Sequence, residues 1–464
     1  MTSSSLRDRI SQSMPRYSDL LSEFVAIDSV SQSTADPSRV DASAQWVAEQ
    51  LGARGCDVEI YRTRTPEGSL GLPTVVGHYP GPEGSPHVVL YAHHDVMPGG
   101  DPAEWTTTEP FTARVIDGRL YGRGSADDGA GLVAHLATID HLLIEGNGEL
   151  PCSLTVLSEG EEEVGSASFE SFLEQHGHLV DADVLVVADG GNPALGEPAL
   201  TTSLRGVIQV FVTVSTMDHP VHSGMYGGVA CDAVTAMCRL VASLHDEHGN
   251  VAIDGLRGAV HRQGTVKRDS FSCIDMSEDT VRADCGIRDD VPLLGQGSVT
   301  DRLWFQPSIS VIGIDAVDVA HSSCTLQPQC RARLSLRTAP GENTRQAYEA
   351  LVRHLHNHAP FGMHVEVECD ELGAACLVDD QAPAVQVALD AMTEAWGHQA
   401  VTLGMGASIP FVALYQEKFP QAQILVTGIE DPDARAHGAD ESIHLGELER
   451  IIHSQCLLLN KLSA

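Results

Sequence analysis

The chain has 464 residues, which at ~100–200 residues per domain predicts two or three domains. Apolar residues make up 42 %, enough to bury large cores, and no stretch approaches the ~18 uninterrupted apolar residues of a membrane helix. The 28 basic residues face 64 acidic ones, a net charge of −36, and such a polyanion repels phosphate backbones, which excludes nucleic acid as an expected partner. The acidity serves solubility, or sets aside a few carboxylates for metals. Eleven cysteines without a C-x-x-C pair predict reduced thiols rather than a disulfide framework. The opening MTSSSLRDRI has no apolar signal core, so a cytoplasmic protein without membrane attachment is expected.

In chain order, Leu20, Leu21, Phe24 and Ile27 mark one helix face, with Pro15 near its start. Val40, Ala44, Val47 and Leu51 mark the next helix. Short apolar runs at 87–92, 153–158 and 183–188 read as buried strands, separated by helix patterns at about 130–144 and 168–176. That alternation predicts an α/β sheet covered by helices. From about 204 the texture changes: strand 207–215, helix 229–244, then a polar irregular stretch. Strands near 308–314 and 329–337, a helix at 343–357 and a strand at 363–368 follow. Residues from about 380 return to helix, strand, loop and helix. The expected division is therefore a discontinuous catalytic domain, 1–203 and 380–464, with an α+β domain inserted at 204–379.

Five places put His, Asp or Glu at the carboxyl end of a predicted strand or in a following loop, where open α/β sheets build their sites. YAHHDVMP ends a strand at His93, His94 and Asp95; a His-x-Asp pair lets a carboxylate orient a metal-facing imidazole. YGRGSADDGAG sets Asp127 and Asp128 in a glycine-rich turn before a helix, which also fits simple capping. LSEGEEEVGS carries Glu161, Glu162 and Glu163, VVADGGNP carries Asp189, and ARAHGADES carries His437. Each alone also fits a solvated surface. Their order along one sheet edge is the stronger signal.

Together these motifs resemble the di-metal peptidases and amidohydrolases that include carnosine dipeptidases, carboxypeptidase G, aminoacylases and succinyl-diaminopimelate desuccinylase. The resemblance runs from about residue 15 to 450. Gly-His-x-Asp-Val-Val-Pro appears as Ala92 to Pro98, Gly-Arg-Gly-x-x-Asp-Asp as Gly122 to Asp128, and Glu-Glu-x-Gly-Ser as Glu162 to Ser166. The resemblance implies two divalent metals about 3.5 Å apart. One would be held by His93, Asp127 and Asp189, the other by Asp127, Glu163 and His437, with a position left for a shared water. Zinc comes first, with manganese or cobalt as alternatives. Glu162 would be the general base and Asp95 would orient His93.

The resemblance also implies a ferredoxin-like inserted domain that forms a lid and a homodimer contact. His222, in DHPVHSGMYGG, matches a residue that reaches the partner subunit's site and stabilises the oxyanion. Arg337 matches the arginine that grips the substrate's free carboxylate. In GMGASIP, Gly406 and Ser408 match residues beside the substrate end. Two departures stand out: the usual Asp-Asp-Lys-Gly is Asp128-Gly129-Ala130-Gly131, and one Gly of a Gly-Gly pair is Ala407. His94, His219, His321 and His444 are expected to be structural or solvated. The expected function is a metal-dependent dipeptidase acting on small peptides with a free C-terminal carboxylate. An N-acyl-amino-acid or carbamoyl amidohydrolase, or a non-catalytic metal or peptide binder, are the alternatives.

Overall fold

The structure is a computed structural model and describes residues 3–256 and 276–464. The predicted irregular segment at about 250–305 is therefore seen in part, and 257–275 lie outside the described residues. Nine strands form one mixed sheet in the order Asp57–Tyr61, Thr74–Tyr79, Ser153–Ser158, His87–Tyr91, Val184–Gly191, Gln423–Glu430, Ala199–Leu204 and Cys376–Leu377, with Val401–Met405 paired beside Ala199–Leu204. The four strands from Ser153–Ser158 to Gln423–Glu430 run parallel. Their continuous apolar runs, such as Val88 to Leu90 and Val184 to Val187, are buried, as a sheet covered on both faces requires.

Helices Ser3–Val25, Gly129–Glu145, Pro383–Trp396 and Leu445–Leu462 pack on one another beside this sheet. Pro15 lies inside the first of these helices and not near its start. Leu6 and Ile10 extend the buried stripe N-terminal to Pro15, so packing carries the helix through it despite the missing N–H. The strands Asp57–Tyr61 and Thr74–Tyr79 escaped the sequence reading. The first is exposed at three of its five positions and offers no apolar run.

The inserted unit is a four-stranded antiparallel sheet ordered Ser308–Asp315, Gln329–Thr338, Gly206–Ser215 and His364–Gly373. With helices Ala233–Ala242 and Thr344–Asn357 it gives the ferredoxin-like β-α-β-β-α-β pattern. Alternation divides its faces. Ile208, Val210, Val212, Ala332, Leu334 and Leu336 point into a core under the two helices. Arg331, Arg333 and Arg337 occupy the other face. The chain crosses between the sheets at Leu204–Gly206 and returns at Gly373–Cys376. A Cβ on Gly206 would lie 2.8 Å from the Gly373 carbonyl oxygen and overlap Thr338, so only glycine fits where the crossings touch.

Among the described residues no helix is long and apolar enough to cross a membrane. Ten described cysteines are free thiols.

Candidate metal centre and active-site cleft

The parallel strands aim their carboxyl ends at one place. His93 follows strand His87–Tyr91, Glu162 and Glu163 follow Ser153–Ser158, Asp189 lies near the end of Val184–Gly191, and His437 follows Gln423–Glu430. Asp127 arrives from the turn before helix Gly129–Glu145. The structure brings donor atoms of His93, Asp127 and Asp189 within 4.8 Å of one another, and those of Asp127, Glu163 and His437 likewise. Asp127 belongs to both groups. Its Oδ1 lies 2.8 Å from His93 Nε2, and its Oδ2 lies 3.0 Å from His437 Nε2. The same His437 nitrogen is 3.1 Å from Glu163 Oε2.

Charge in this cluster is one-sided. Burial pushes the Asp189 and Glu162 carboxyls well up, with neighbouring carboxylates adding to it, and burial likewise raises Glu163. Hydrogen bonds to Asp127 and Glu163 push His437 up to about 11. Burial disfavours a charged His93, but Asp127 and Asp95 outweigh it and raise that imidazole too. Asp127 is held low: both imidazoles overcome the burial that opposes its charge. Carboxylates crowded this closely with only two imidazoles suit divalent cations, which neutralise the excess and pull the carboxyls back down. Oxygen and imidazole donors without thiolate fit zinc, manganese or cobalt. The donor set fits the two ions that the motifs imply.

The surrounding shell is denser than the motifs indicated. The Asp95 backbone carbonyl accepts from His93 Nδ1 at 2.9 Å. Its carboxylate accepts from the backbone N–H groups of Glu162 at 3.2 Å and Glu163 at 3.1 Å. Asp95 therefore ties His93 to the glutamate turn. Asp128 makes no side-chain cap bond, and its carboxylate instead accepts the His93 backbone N–H at 3.2 Å. Glu161 faces away from the cluster, accepting from Leu72 N at 2.6 Å and from Ser168. His94 is buried between Ser43 and the Pro73 carbonyl, with its imidazole pushed down to about 4 by burial, as a structural histidine should be.

Glu441 was missed altogether. It accepts from the backbone N–H groups of Ala126 and Asp127 at 3.1 and 3.2 Å, and pairs with buried Arg123 at 2.5 Å. Arg123 also donates to the Gly438 carbonyl at 3.1 Å, so this pair links the Asp127 turn to the His437 loop. Both residues stand inside quoted motifs, GRGSADD and HGADES, and that was the available signal. His437 itself has φ +63°, a left-handed conformation costing about 1–3 kcal/mol outside glycine. Asp440 holds the loop by accepting from Thr106 and Thr107.

A cleft of about 890 Å³ opens from this cluster, lined on one side by Glu162, Glu163 and His437 and on the other by Arg337 and Ser408. Arg337 donates to Ser408 Oγ at 2.9 Å, and Ser408 in turn donates to the Arg205 carbonyl. Gly406 does not line the cleft. Its carbonyl accepts from Arg205 Nε at 2.8 Å, which places it behind Ser408. His222 is also absent from the cleft of its own chain. It is exposed at the end of strand Val221–His222, where its Nδ1 accepts from Gly224 N at 3.1 Å.

Residues 89–461 match the model of peptidase family M20/M25/M40. A cysteinylglycine-S-conjugate dipeptidase of Corynebacterium striatum is 33 % identical over 416 residues, 89 % of this chain and 88 % of that relative. The human β-Ala-His dipeptidase is 25 % identical over 439 residues, 91 % of this chain and 85 % of the relative. In fold, the chain is similar to the dipeptidase Dug1p of Saccharomyces cerevisiae, with a TM-score of 0.86 at 21 % identity over 100 % of this chain and 98 % of that one. The family match spans most of the chain and the bacterial relative is similar over nearly all of it. The chain therefore belongs to peptidase family M20/M25/M40 and is a peptidase.

Proposed function

We propose that the protein is a metal-dependent dipeptidase acting on small peptides with a free C-terminal carboxylate. The observation that carries this reading is the pair of donor groups sharing Asp127, set beside Glu162 and across one cleft from Arg337 and Ser408. Two divalent cations, zinc first and manganese or cobalt as alternatives, would be held by His93, Asp127 and Asp189 and by Asp127, Glu163 and His437. When bound they supply Lewis acidity and ease deprotonation of water. Glu162 accepts the proton of the attacking water and returns it to the leaving amine. Asp95 keeps His93 and the glutamate turn in register. Residues 1–203 and 380–464 serve as the catalytic domain and 204–379 as the lid. The absence of a disulfide among the described cysteines fits the reducing, cytoplasmic setting expected from the sequence.

Substrate position follows from Arg337. A guanidinium with Ser408 beside it suits a carboxylate, and Gly406 backs that pair through Arg205. Arg337→Ala is expected to lower kcat/KM roughly 10–150-fold for peptide acids, the worth of a charge-assisted hydrogen bond, and far less for peptide amides. Equal losses for acids and amides would remove the carboxylate role.

His222 acts, in this reading, in the site of a second copy, with the protein working as a homodimer. The support is that His222 does not line its own cleft and that apolar side chains are exposed close by it in sequence, Met225, Tyr226 and Val229, and on the edge strand Ser308–Asp315, Val311, Ile312 and Ile314. An open apolar edge is a template for pairing. His222→Ala should lose about 10²–10³ in kcat, the cost of one oxyanion donor. Mixing it with inactive Glu162→Gln under subunit exchange should restore activity, because one site of the mixed dimer is then complete. No recovery in proven heterodimers would place His222 outside the partner's site.

The reaction itself is tested by a panel of Cys-Gly, β-Ala-His and matched N-acyl amino acids with metal-loaded protein. Dipeptide cleavage abolished by a chelator is the expected result. Cleavage of the N-acyl amino acids alone would replace the dipeptidase reading with an amidohydrolase one.

A further inference from the structure

The cleft also carries an acidic group that the reaction does not use. Glu371, on strand His364–Gly373, lines the cleft together with Gln209 and Arg337. It reaches across from the inserted unit to the turn after Glu163, where its Oε1 lies 3.9 Å from the position a Cβ on Gly165 would occupy. Its other oxygen, Oε2, accepts from the Gln209 side-chain amide. Among the described residues no basic group lies within 4.0 Å of it; Arg337 and Arg333 favour its charge from farther off, while Arg333 pairs with Asp370 and Arg337 donates to Ser408. Gln209 adds a second acceptor, because its buried Oε1 has no hydrogen-bond partner. Turning that amide round would set its oxygen against the Glu371 carboxylate, so the orientation holds.

The orphaned buried acceptor on Gln209 is costly, and Glu371, whose Oε2 takes the Gln209 amide, keeps its Oε1 for a donor that a ligand in the cleft supplies. The register places them. On strand Gly206–Ser215, Val207 pairs with Arg337 on one side, and two residues on, Gln209 pairs with Glu371 on the other. At strand spacings of about 4.8 Å and rises of about 3.4 Å, the Arg337 and Glu371 Cα atoms stand about 12 Å apart on the same sheet face. A C-terminal residue held by its α-carboxylate at Arg337 therefore has its side chain within reach of Glu371.

We propose that Glu371, with Gln209, is a specificity-determining site that selects dipeptides whose C-terminal residue carries a cationic side chain, lysine, arginine or protonated histidine. The inference rests on the dipeptidase reading and on Arg337 as the carboxylate anchor. The net charge of −36 favours the same substrates by steering cations toward the protein. A charge-assisted hydrogen bond is worth about a ten- to hundredfold preference.

The test compares kcat/KM for Gly-Lys and Gly-norleucine, which match in length and differ in the ammonium group. The native protein should favour Gly-Lys at least tenfold, and Glu371→Gln should bring the ratio close to one. Because the ratio is internal to each preparation, a partly folded variant does not disturb it. Calorimetric binding of both peptides to Glu162→Gln should show the same preference in Kd. Equal values in the native protein, or a preference that survives Glu371→Gln, would overturn the site. Failure of the dipeptidase reading looks different, as no turnover of either dipeptide, and takes the proposal with it.

Discussion

Glu162→Gln should lower kcat by about 10²–10⁴-fold while the protein keeps its metal, which is the range expected for loss of a positioned proton carrier. Glutamine preserves shape and polarity at a residue that lines the cleft. The backbone N–H of residue 162 still reaches Asp95, and Glu163 still stands 3.1 Å from His437. Only the ability to take and return a proton is removed. The contrast with metal content separates this role from a structural one. Near-native turnover in the variant would mean another group moves the proton.

Asp127→Asn should be more severe, abolishing turnover and metal together. Asp127 is the one residue common to both donor groups, so its loss leaves each with two of three donors. It is also where both imidazoles converge, and an amide cannot accept from both with a full negative charge. Elemental analysis beside a thermal melt gives the comparison: metal near zero with the fold intact. Retention of both ions would deny that Asp127 is shared.

Much of this candidate site was legible because the proposed metal ligands and base sit in short contiguous motifs at strand ends. His93, Glu163 and Asp189 each follow a short apolar run that reads as a buried strand, and parallel strands bring their carboxyl ends to one edge. What was not legible depends on pairing between distant segments. Arg123 and Glu441 meet across 318 residues of sequence, and nothing local distinguishes Glu441 from the neighbouring Asp440. Glu371 lies beyond the strand expected at 363–368, and only register sets it beside Gln209 and opposite Gly165. The exposed strand Asp57–Tyr61 carried no apolar pattern, and Pro15 masked the true start of the first helix. Gly406 matched its motif, yet its carbonyl is taken up by Arg205 and it lies behind Ser408.

The di-metal account is tested most directly by elemental analysis of the purified protein alongside its rate on a dipeptide. The expected result is about two divalent ions per chain, with chelation removing both the ions and the activity, and zinc, manganese or cobalt restoring them together. A preparation that cleaves dipeptides while holding only trace metal would contradict it.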